Sequence, residues 1–581
     1  MSSKLVLVKR VLYCAPTAAH LRELAALAGD VRGAGAGGDT AEVLLSCDQD
    51  VQARLSLSAA PDAAVARLHE GYFNLLVLDA RGLPGTSVEE AAAPALEILD
   101  GIDADEDVEV RYPFHRILVL VAGEDDAGDQ LVARFGARGV GRILRDPRPP
   151  GAAPEAGDPR RRAFARLFLD EMRRMTTERC PGKVALNLAG GGITGIYFEQ
   201  GALKCLADCL PPGALNRFDL YFGISAGAIV GGMLANGYSI DELMAAIAGC
   251  EGGRVPPLNL SLFKLAHLNI ADALHRLRVA GRHLAARVLA ALPGSRREAL
   301  ESLFLDFGDL VPPPFRGDAF EAILRAAFSA PGHTNDFRAL PRPLFVGATD
   351  QDTRLHVLFG DHGWDEVPIS LAIQASMSLN PAFSSTKIGG RFYEDGGVSR
   401  TTNFLQAIRR GADLIFVVDP LVPYVSRTAG YARARGAIYN VDQNIRTISY
   451  TRYANTRSWI LKQHPEVSFY NFLPQNTLRR RLSYNPLDHR PYLHIWRGAY
   501  LSTLQRIEQL GYRVAGDLAA HGIAFDTRRA QEVAEQLRAK DAPEFADFFP
   551  RRRIVLDLPD WQPAAAPALP PAPARLLAQS A

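Results

Sequence analysis

A long apolar run is the first thing this chain of 581 residues lacks. No stretch approaches the roughly 18 to 20 consecutive apolar residues that a helix needs to span a bilayer. The N-terminus, Met1-Ser2-Ser3-Lys4-Leu5-Val6-Leu7-Val8-Lys9-Arg10, breaks its short apolar run with charge too early for a secretory signal. Membrane contact is therefore expected to be peripheral. An excess of charge is missing as well. The 65 Lys+Arg stand against 64 Asp+Glu, a formal charge of +1, which argues against a dedicated nucleic-acid binder because that attraction needs clustered excess base. Cysteine is scarce: six residues, at 14, 47, 180, 205, 209 and 250, none in the second half and without regular spacing. Cys205 and Cys209 sit one helical turn apart, but no second Cys or His pair accompanies them, so no metal site is expected. A reduced, cytoplasmic setting fits this usage.

What is present is more chain than one core can hold, and it divides by composition. Residues 1–148 alternate strand-like apolar runs, at 9–14, 41–47, 73–79, 116–121 and 141–144, with helical patterns such as 20–27 and 62–71. Such alternation predicts an open α/β sheet, receiver-like or Rossmann-like. The run Asn74-Leu75-Leu76-Val77-Leu78-Asp79, with its strand-end aspartate, resembles a response-regulator receiver domain, but Cys14-Ala15-Pro16 stands where a receiver keeps its acidic pair. Residues 149–180 read as a Pro-rich linker followed by an amphipathic helix that packs between domains. A second α/β domain is expected over 181–420, interrupted at 251–315 by Arg-rich helical stretches that form a cap or an interfacial lid. A helical extension follows over 421–561, with 500–519 its clearest helix, and a disordered Pro/Ala-rich tail closes the chain at 562–581.

Chemistry concentrates in three glycine-centred blocks. The strand Val184–Ala189 runs into Gly190-Gly191-Gly192-Ile193-Thr194-Gly195. A second strand at 218–222 runs into Gly223-Ile224-Ser225-Ala226-Gly227, and a helix is expected after it. That strand, serine and helix have the spacing of a nucleophile elbow, where small flanking residues let the chain reverse and push the hydroxyl outward. The third block is Asp395-Gly396-Gly397. A serine hydroxyl is a poor nucleophile near neutral pH and needs a base together with donors for the oxyanion it creates. Ser225 can supply the nucleophile and Asp395 the base. The backbone N–H groups of Gly190, Gly191, Gly192 and Ala226 are the candidate oxyanion hole.

Taken in order, the three blocks resemble the signatures of patatin-like phospholipases. The stretch Val346-Gly347-Ala348-Thr349-Asp350 and the pair Ala375-Ser376 before Pro381 resemble secondary blocks of that family. The resemblance covers about residues 183–420. It implies a three-layer α/β/α hydrolase domain and a Ser225–Asp395 dyad without histidine. It also implies lipid or membrane-surface acyl esters as substrates, and no metal or other cofactor. One departure is Thr194, where family loops commonly carry Arg or Lys; its presence bears on rate and headgroup preference.

Other readings of the same residues compete. Gly190-x-Gly192-x-x-Gly195 after a strand also fits a dinucleotide fingerprint, but the acidic residue it needs at the end of the second strand is absent, Asp219 standing at that strand's start. A Ser–Asp–His order could use His464, His489 or His494. A non-catalytic protein of the same fold, binding lipid or a protein partner under control of its N-terminal domain, is the alternative of another class. Arg479-Arg480-Arg481 is expected to be a solvated patch, Trp459 and Trp496 to be core, and Asp350 and Ser376 to support active-site loops.

Overall fold

Two sheets organise the chain, each built where buried apolar runs alternate with helices. The computed structural model describes residues 7–549 apart from 18, 29–30, 33–41, 49–50, 72, 83–85, 105–111, 113, 149–157, 178–181, 251–252, 256, 259–267, 271–273, 275–277, 279–312, 465–466 and 485–486. Most of the expected cap at 251–315, the Pro-rich linker and the tail at 562–581 lie outside the described residues. Contacts divide the chain into one unit of Met1–Gly182, Asn455–Tyr470 and Gln505–Phe525, and another of Lys183–Ala454, Asn471–Leu504 and Asp526–Ala581. The expected boundary near residue 420 is therefore not found: the segments beyond it are shared between the two units.

In the first unit the strands are β1 (Leu7–Cys14), β2 (Val31–Arg32), β3 (Glu42–Asp48), β4 (Val51–Ser58), β5 (Leu75–Ala80), β6 (Ile117–Ala122) and β7 (Ile143–Asp146). Their order is β2-β3-β4-β1-β5-β6-β7. From β4 to β7 the neighbours are parallel, in a doubly wound order, while β2 and β3 add an antiparallel edge. The expected strand at 41–47 is this edge, and β4, which pairs with β1, was not anticipated. Leu75–Ala80 and Ile117–Ala122 are buried throughout, as parallel strands covered on both faces must be.

Helix α1 (Ala19–Ala28) lies on one face, and α2 (Pro61–Glu70), α3 (Val88–Asp103) and α4 (Asp126–Ala137) lie on the other. The expected interdomain helix is α5 (Pro159–Thr177). Its Phe164, Ala165, Phe168 and Met172 pack into the same cluster as Val11, Tyr13, Leu24 and Val77, so it covers its own sheet. Asp79 is not placed to accept phosphate. It is 4% exposed, its carboxylate accepts from Arg81 Nε at 2.9 Å and Nη2 at 2.7 Å and from the Tyr13 hydroxyl, and Arg81 also meets Asp146 at 3.3 Å.

The second unit carries β8 (Lys183–Leu188), β9 (Leu220–Ile224), β10 (Leu344–Asp350), β11 (His356–Phe359), β12 (Thr386–Ile388), β13 (Arg391–Asp395) and β14 (Ala412–Val418). They form one sheet with β15 (Ser468–Phe472), in the order β12-β13-β10-β9-β8-β14-β15, with β11 added on β10. Helices α6 (Gly192–Asp208), α7 (Ala226–Ala235) and α8 (Ile240–Ile247) follow the first two strands. Later come Ile369–Met377, the long helix Gly436–Gln463 and Asn476–Tyr484. The helix expected over 500–519 is two, Tyr492–Leu510 and Tyr512–Ala520, parted at Gly511 with φ +53°. Trp496 is core as expected and donates to Gln200 Oε1 at 3.0 Å. Trp459 is 59% exposed, because its neighbour Ile460, 1% exposed, takes the inward position of that turn.

Phe168→Ala should cost the first unit about 3–5 kcal/mol, since a buried ring is lost and its cavity cannot fully collapse. A lowered denaturant midpoint by chemical unfolding checks this.

Candidate active site

The site is built on one strand. β10 pairs with β9 over Leu344–Gly347, with β13 over Ala348–Asp350 and with β11 over Val346–Thr349. Because β11 overlaps both of the others, it holds one edge of β10, and β9 and β13 follow each other along the opposite edge. Gly347 faces Ile224, the last residue of β9, and Ala348 faces Asp395, the last residue of β13. Two residues 170 positions apart in the chain, Ser225 and Asp395, are thereby brought end to end.

Ser225 sits between β9 and α7 with φ 53° and ψ −117°. A non-glycine residue holds such a backbone only when its surroundings fix it. They do so here: the Ser225 N–H donates to Ser376 Oγ at 2.8 Å, and that hydroxyl donates to Gly347 O at 2.6 Å. Gly227 follows the turn so closely that a Cβ would lie 2.4 Å from Leu188 O, and its N–H donates to Ala189 O at 3.1 Å.

Asp395 is 3% exposed, and the Ser225 hydroxyl is among the groups that favour its ionised form. Its Oδ1 also accepts from Gly397 N at 2.7 Å, and its own carbonyl accepts from Thr349 Oγ1 at 3.0 Å. Gly396 packs on β10, where a Cβ would meet Gly347 O at 2.3 Å. Burial pushes the carboxyl up to about 6; the Gly397 bond and the Ser225 hydroxyl pull it back only in part.

The triple-glycine loop lies against the serine. A Cβ on Gly190 would stand 3.2 Å from Ser225 Cβ. Gly191 caps α6, Gly192 opens it with φ +65°, and α7 begins at Ala226, so two helix N-termini start beside Ser225. The loop is wedged from behind by Pro420: Cβ atoms on Gly191 and Gly195 would lie 2.6 and 3.3 Å from its Cγ. Thr194 is fully buried, its hydroxyl bonded to Gly191 O at 3.5 Å and Leu482 O at 3.4 Å, so it holds the loop and does not face solvent.

A cation does serve this loop, but from another element. Arg446 of Gly436–Gln463 is 1% exposed and donates to Pro420 O and Leu482 O, both at 3.0 Å, while pairing with Asp442 at 2.8 Å. On the other side of the site Arg452 donates to Gly397 O at 2.8 Å and Val398 O at 2.9 Å. Nothing in the sequence marked these two arginines among the many of that region, because their acceptors are main-chain carbonyls far away in the chain.

Asp350 and Ser376 occupy the supporting positions expected of them. Asp350 pairs with Arg391 at 2.5 Å and accepts from Thr353 N at 2.9 Å, which holds it well below the usual carboxylate range. A histidine close by, His356, was not anticipated. It bonds Ser399 Oγ at 2.8 Å and Asn403 Oδ1 at 2.9 Å, and burial pushes it down to about 4, so it is neutral and braces the Asp395 loop.

Behind the loop, Glu199 and Asp419 are two further buried carboxylates. Burial and the Asp419 charge raise Glu199 well above the ordinary range, and burial lifts Asp419 to about 6. Among the described residues no cluster of three His, Cys, Asp or Glu could hold a metal, and no helix is long and apolar enough to cross a membrane.

Residues 186–408 match the patatin-like phospholipase family. Over 60 residues the chain is 43% identical to a cUMP-AMP-activated phospholipase of Escherichia coli, a stretch that is 10% of this chain and 18% of that protein. Among solved structures it is similar to VipD from Legionella pneumophila, at 13% identity over 61% of this chain and 73% of that one, with a TM-score of 0.23. It is also similar to the type III effector protein ExoU, at 15% identity over 62% and 64% of the two chains, with a TM-score of 0.20. The family match falls within the patatin-like region expected from the glycine blocks and spans Ser225 and Asp395.

Ionising Asp395 in this environment costs about 3 kcal/mol for a shift from 3.8 to about 6. The folded state holds the proton across that window while the unfolded chain releases it, so this group's contribution to stability falls as pH rises from about 4 to 6. Asp395→Asn is therefore expected to melt no lower than the parent chain at pH 7.5, with any gain vanishing near pH 4. Thermal unfolding at the two pH values decides it.

Proposed function

We propose that this chain hydrolyses carboxylic esters of lipids, with Ser225 as nucleophile and Asp395 as general base. The meeting of β9 and β13 end to end on β10, which brings Ser225 in its strained strand-to-helix turn up to the buried Asp395, carries the reading. Asp395 takes the hydroxyl proton as Ser225 Oγ attacks the ester carbonyl, whose oxygen becomes an oxyanion. The N–H groups of Gly190, Gly191, Gly192 and Ala226 are assigned to that oxyanion, supported by the loop's packing on Ser225 and by the helix starting at Ala226. Collapse returns the proton from Asp395 to the departing alkoxide and leaves an acyl-Ser225. Water then repeats the sequence, giving its proton to Asp395 and releasing the fatty acid.

A buried carboxylate with no cation against it suits the role of base. Its affinity for a proton lies nearer to working pH than that of an exposed aspartate, so it accepts the serine proton at smaller cost. Ser376 and Gly347 keep Ser225 in its strained turn, and Thr349, Ser399 and His356 keep Asp395 against it. A lipid substrate follows from the family match, and the acyl and headgroup preference belongs to the region around the loop.

Turnover of p-nitrophenyl butyrate should fall by at least about a thousandfold in Ser225→Ala and in Asp395→Asn. A fluorophosphonate should label the parent chain at Ser225 by mass spectrometry. Unchanged turnover in Ser225→Ala, or an inert parent chain, would sink the proposal, the latter leaving a binding protein of the same fold.

The pH profile of kcat/KM is expected to lose activity tenfold per unit below pH 6, where Asp395 takes up a proton. Asp419→Asn should leave that acid limb in place, because Asp419 touches neither Ser225 nor the ester.

A further inference from the structure

The helix Gly436–Gln463, up to Ala454, belongs to the second unit and has two unlike faces. Its inner face carries Tyr439, Arg446, Ser449 and Tyr453, all under 9% exposed. Its outer face carries Val441, Ile445 and Ile448, at 52%, 38% and 66% exposed. These three are spaced four and three apart, one row along a helix. Four residues further, the same row reaches Arg452, whose guanidinium holds the carbonyls of Gly397 and Val398. Val398, three residues after Asp395, is itself 43% exposed. The apolar row thus leads along the helix to the lip of the candidate site.

The other exposed positions of this helix through Thr451, namely Gly436, Ala437, Asn444, Thr447 and Thr451, are uncharged. A helix that faces water ordinarily spends its outer face on charge, and single exposed aliphatics are scattered and not aligned. Charge gathers at the start of the row instead. Residues 421–454 contain Arg427, Arg433, Arg435, Arg446 and Arg452 against one acid, Asp442, which Arg446 neutralises at 2.8 Å. Arg427 and Arg433 are exposed. Arg435 lies over the rings of Tyr431 and Tyr439 at 4.5 and 6.0 Å, and Tyr424 packs on Tyr431 at 5.3 Å. Beside them Val425, 60% exposed, is fixed by two bonds from its backbone to the Asn476 side chain, at 2.9 and 2.8 Å. An uncharged aliphatic row rimmed by cations and tyrosines is the composition of an element that lies in the headgroup layer of an anionic bilayer.

We propose that Val441, Ile445 and Ile448, with Arg427 and Arg433 at the rim and Val398 at the lip, form the face by which this chain docks on an anionic phospholipid bilayer. The ester then reaches Ser225 past Val398 without crossing bulk water. Delivery of substrate in this way rests on the acyl-hydrolase reading; the docking itself does not.

Flotation of the full chain carrying Ser225→Ala, which removes turnover, tests the docking separately. Vesicles of phosphatidylcholine alone and of phosphatidylcholine mixed with phosphatidylglycerol are the probes. The chain is expected to float with the mixed vesicles, and Ile445→Asp with Ile448→Asp to lower the bound fraction about tenfold or more. Arg427→Gln and Arg433→Gln should each weaken binding to the mixed vesicles about fivefold and leave the phosphatidylcholine vesicles unaffected. A single Ile448→Trp should shift its emission to shorter wavelength on adding mixed vesicles, a readout that does not depend on the double variant folding. Flotation of the double aspartate variant equal to its parent, or no emission shift, overturns the proposal. So does conversion of a dimer to a monomer by the double variant, which would assign the face to a second copy of the chain. Turnover of a soluble ester without vesicle binding removes the docking face alone, and vesicle binding by an inert parent chain removes the hydrolase reading alone.

Discussion

One edge of β10 receives two strands in succession, and the candidate site exists because they meet there. β9 runs parallel to β10 as far as Gly347, and β13 comes back antiparallel from Ala348. Each ends where the other ends, so the turn after Ile224 and the turn after Asp395 share a few ångströms of space. Small residues are forced on all three chains at that junction. Gly347 has Ile224, Asn403 and His356 within 3.1 Å of where its Cβ would be, and Gly396 presses on the Gly347 carbonyl. Ser376, on the helix Ile369–Met377, ties the junction by bonding both the Ser225 N–H and Gly347 O.

The buried carboxylates of this chain differ in what meets them. Asp79 and Asp350 each meet an arginine, which compensates the lost hydration and fixes the charge. Such a pair has no use for a proton. Asp395 accepts from the Gly397 N–H, and burial moves its carboxyl toward neutrality. The same desolvation that makes it costly to ionise raises its affinity for a proton, which is what the proposed role of base requires.

The glycine blocks were legible because Gly191, Gly223, Gly227 and Gly396 each answer a steric demand that a side chain would violate, and such demands leave a sequence mark. Asp395 was legible for the same reason, through Gly396 and Gly397 after it. Strand β4 was not anticipated: Val51-Gln52-Ala53-Arg54-Leu55 alternates polar and apolar residues and lacks the continuous apolar run of the strands that were, yet it lies between β3 and β1. Gly511 was passed over inside a helical pattern that continues on both sides of it; only its positive φ separates the two helices. Arg446 and Arg452 were out of reach for a more basic reason. A guanidinium that binds carbonyls chosen by the tertiary fold has no partner residue type to look for.

Those two arginines give the long helix a role that neither the glycine loop nor the Asp395 turn has alone. Arg446 grips Pro420, whose ring wedges the glycine loop, and Arg452 grips the two carbonyls that follow the Asp395 turn. One helix therefore reaches both the glycine loop and the Asp395 turn, from points six residues apart along its length. Oxyanion donors are effective only when they are already aimed before charge develops. On the proposed reading a helix bonded at both points serves that aim, and the apolar outer row lies on the same helix. A contact made by the row is thus made on the helix that reaches both the glycine loop and the Asp395 turn.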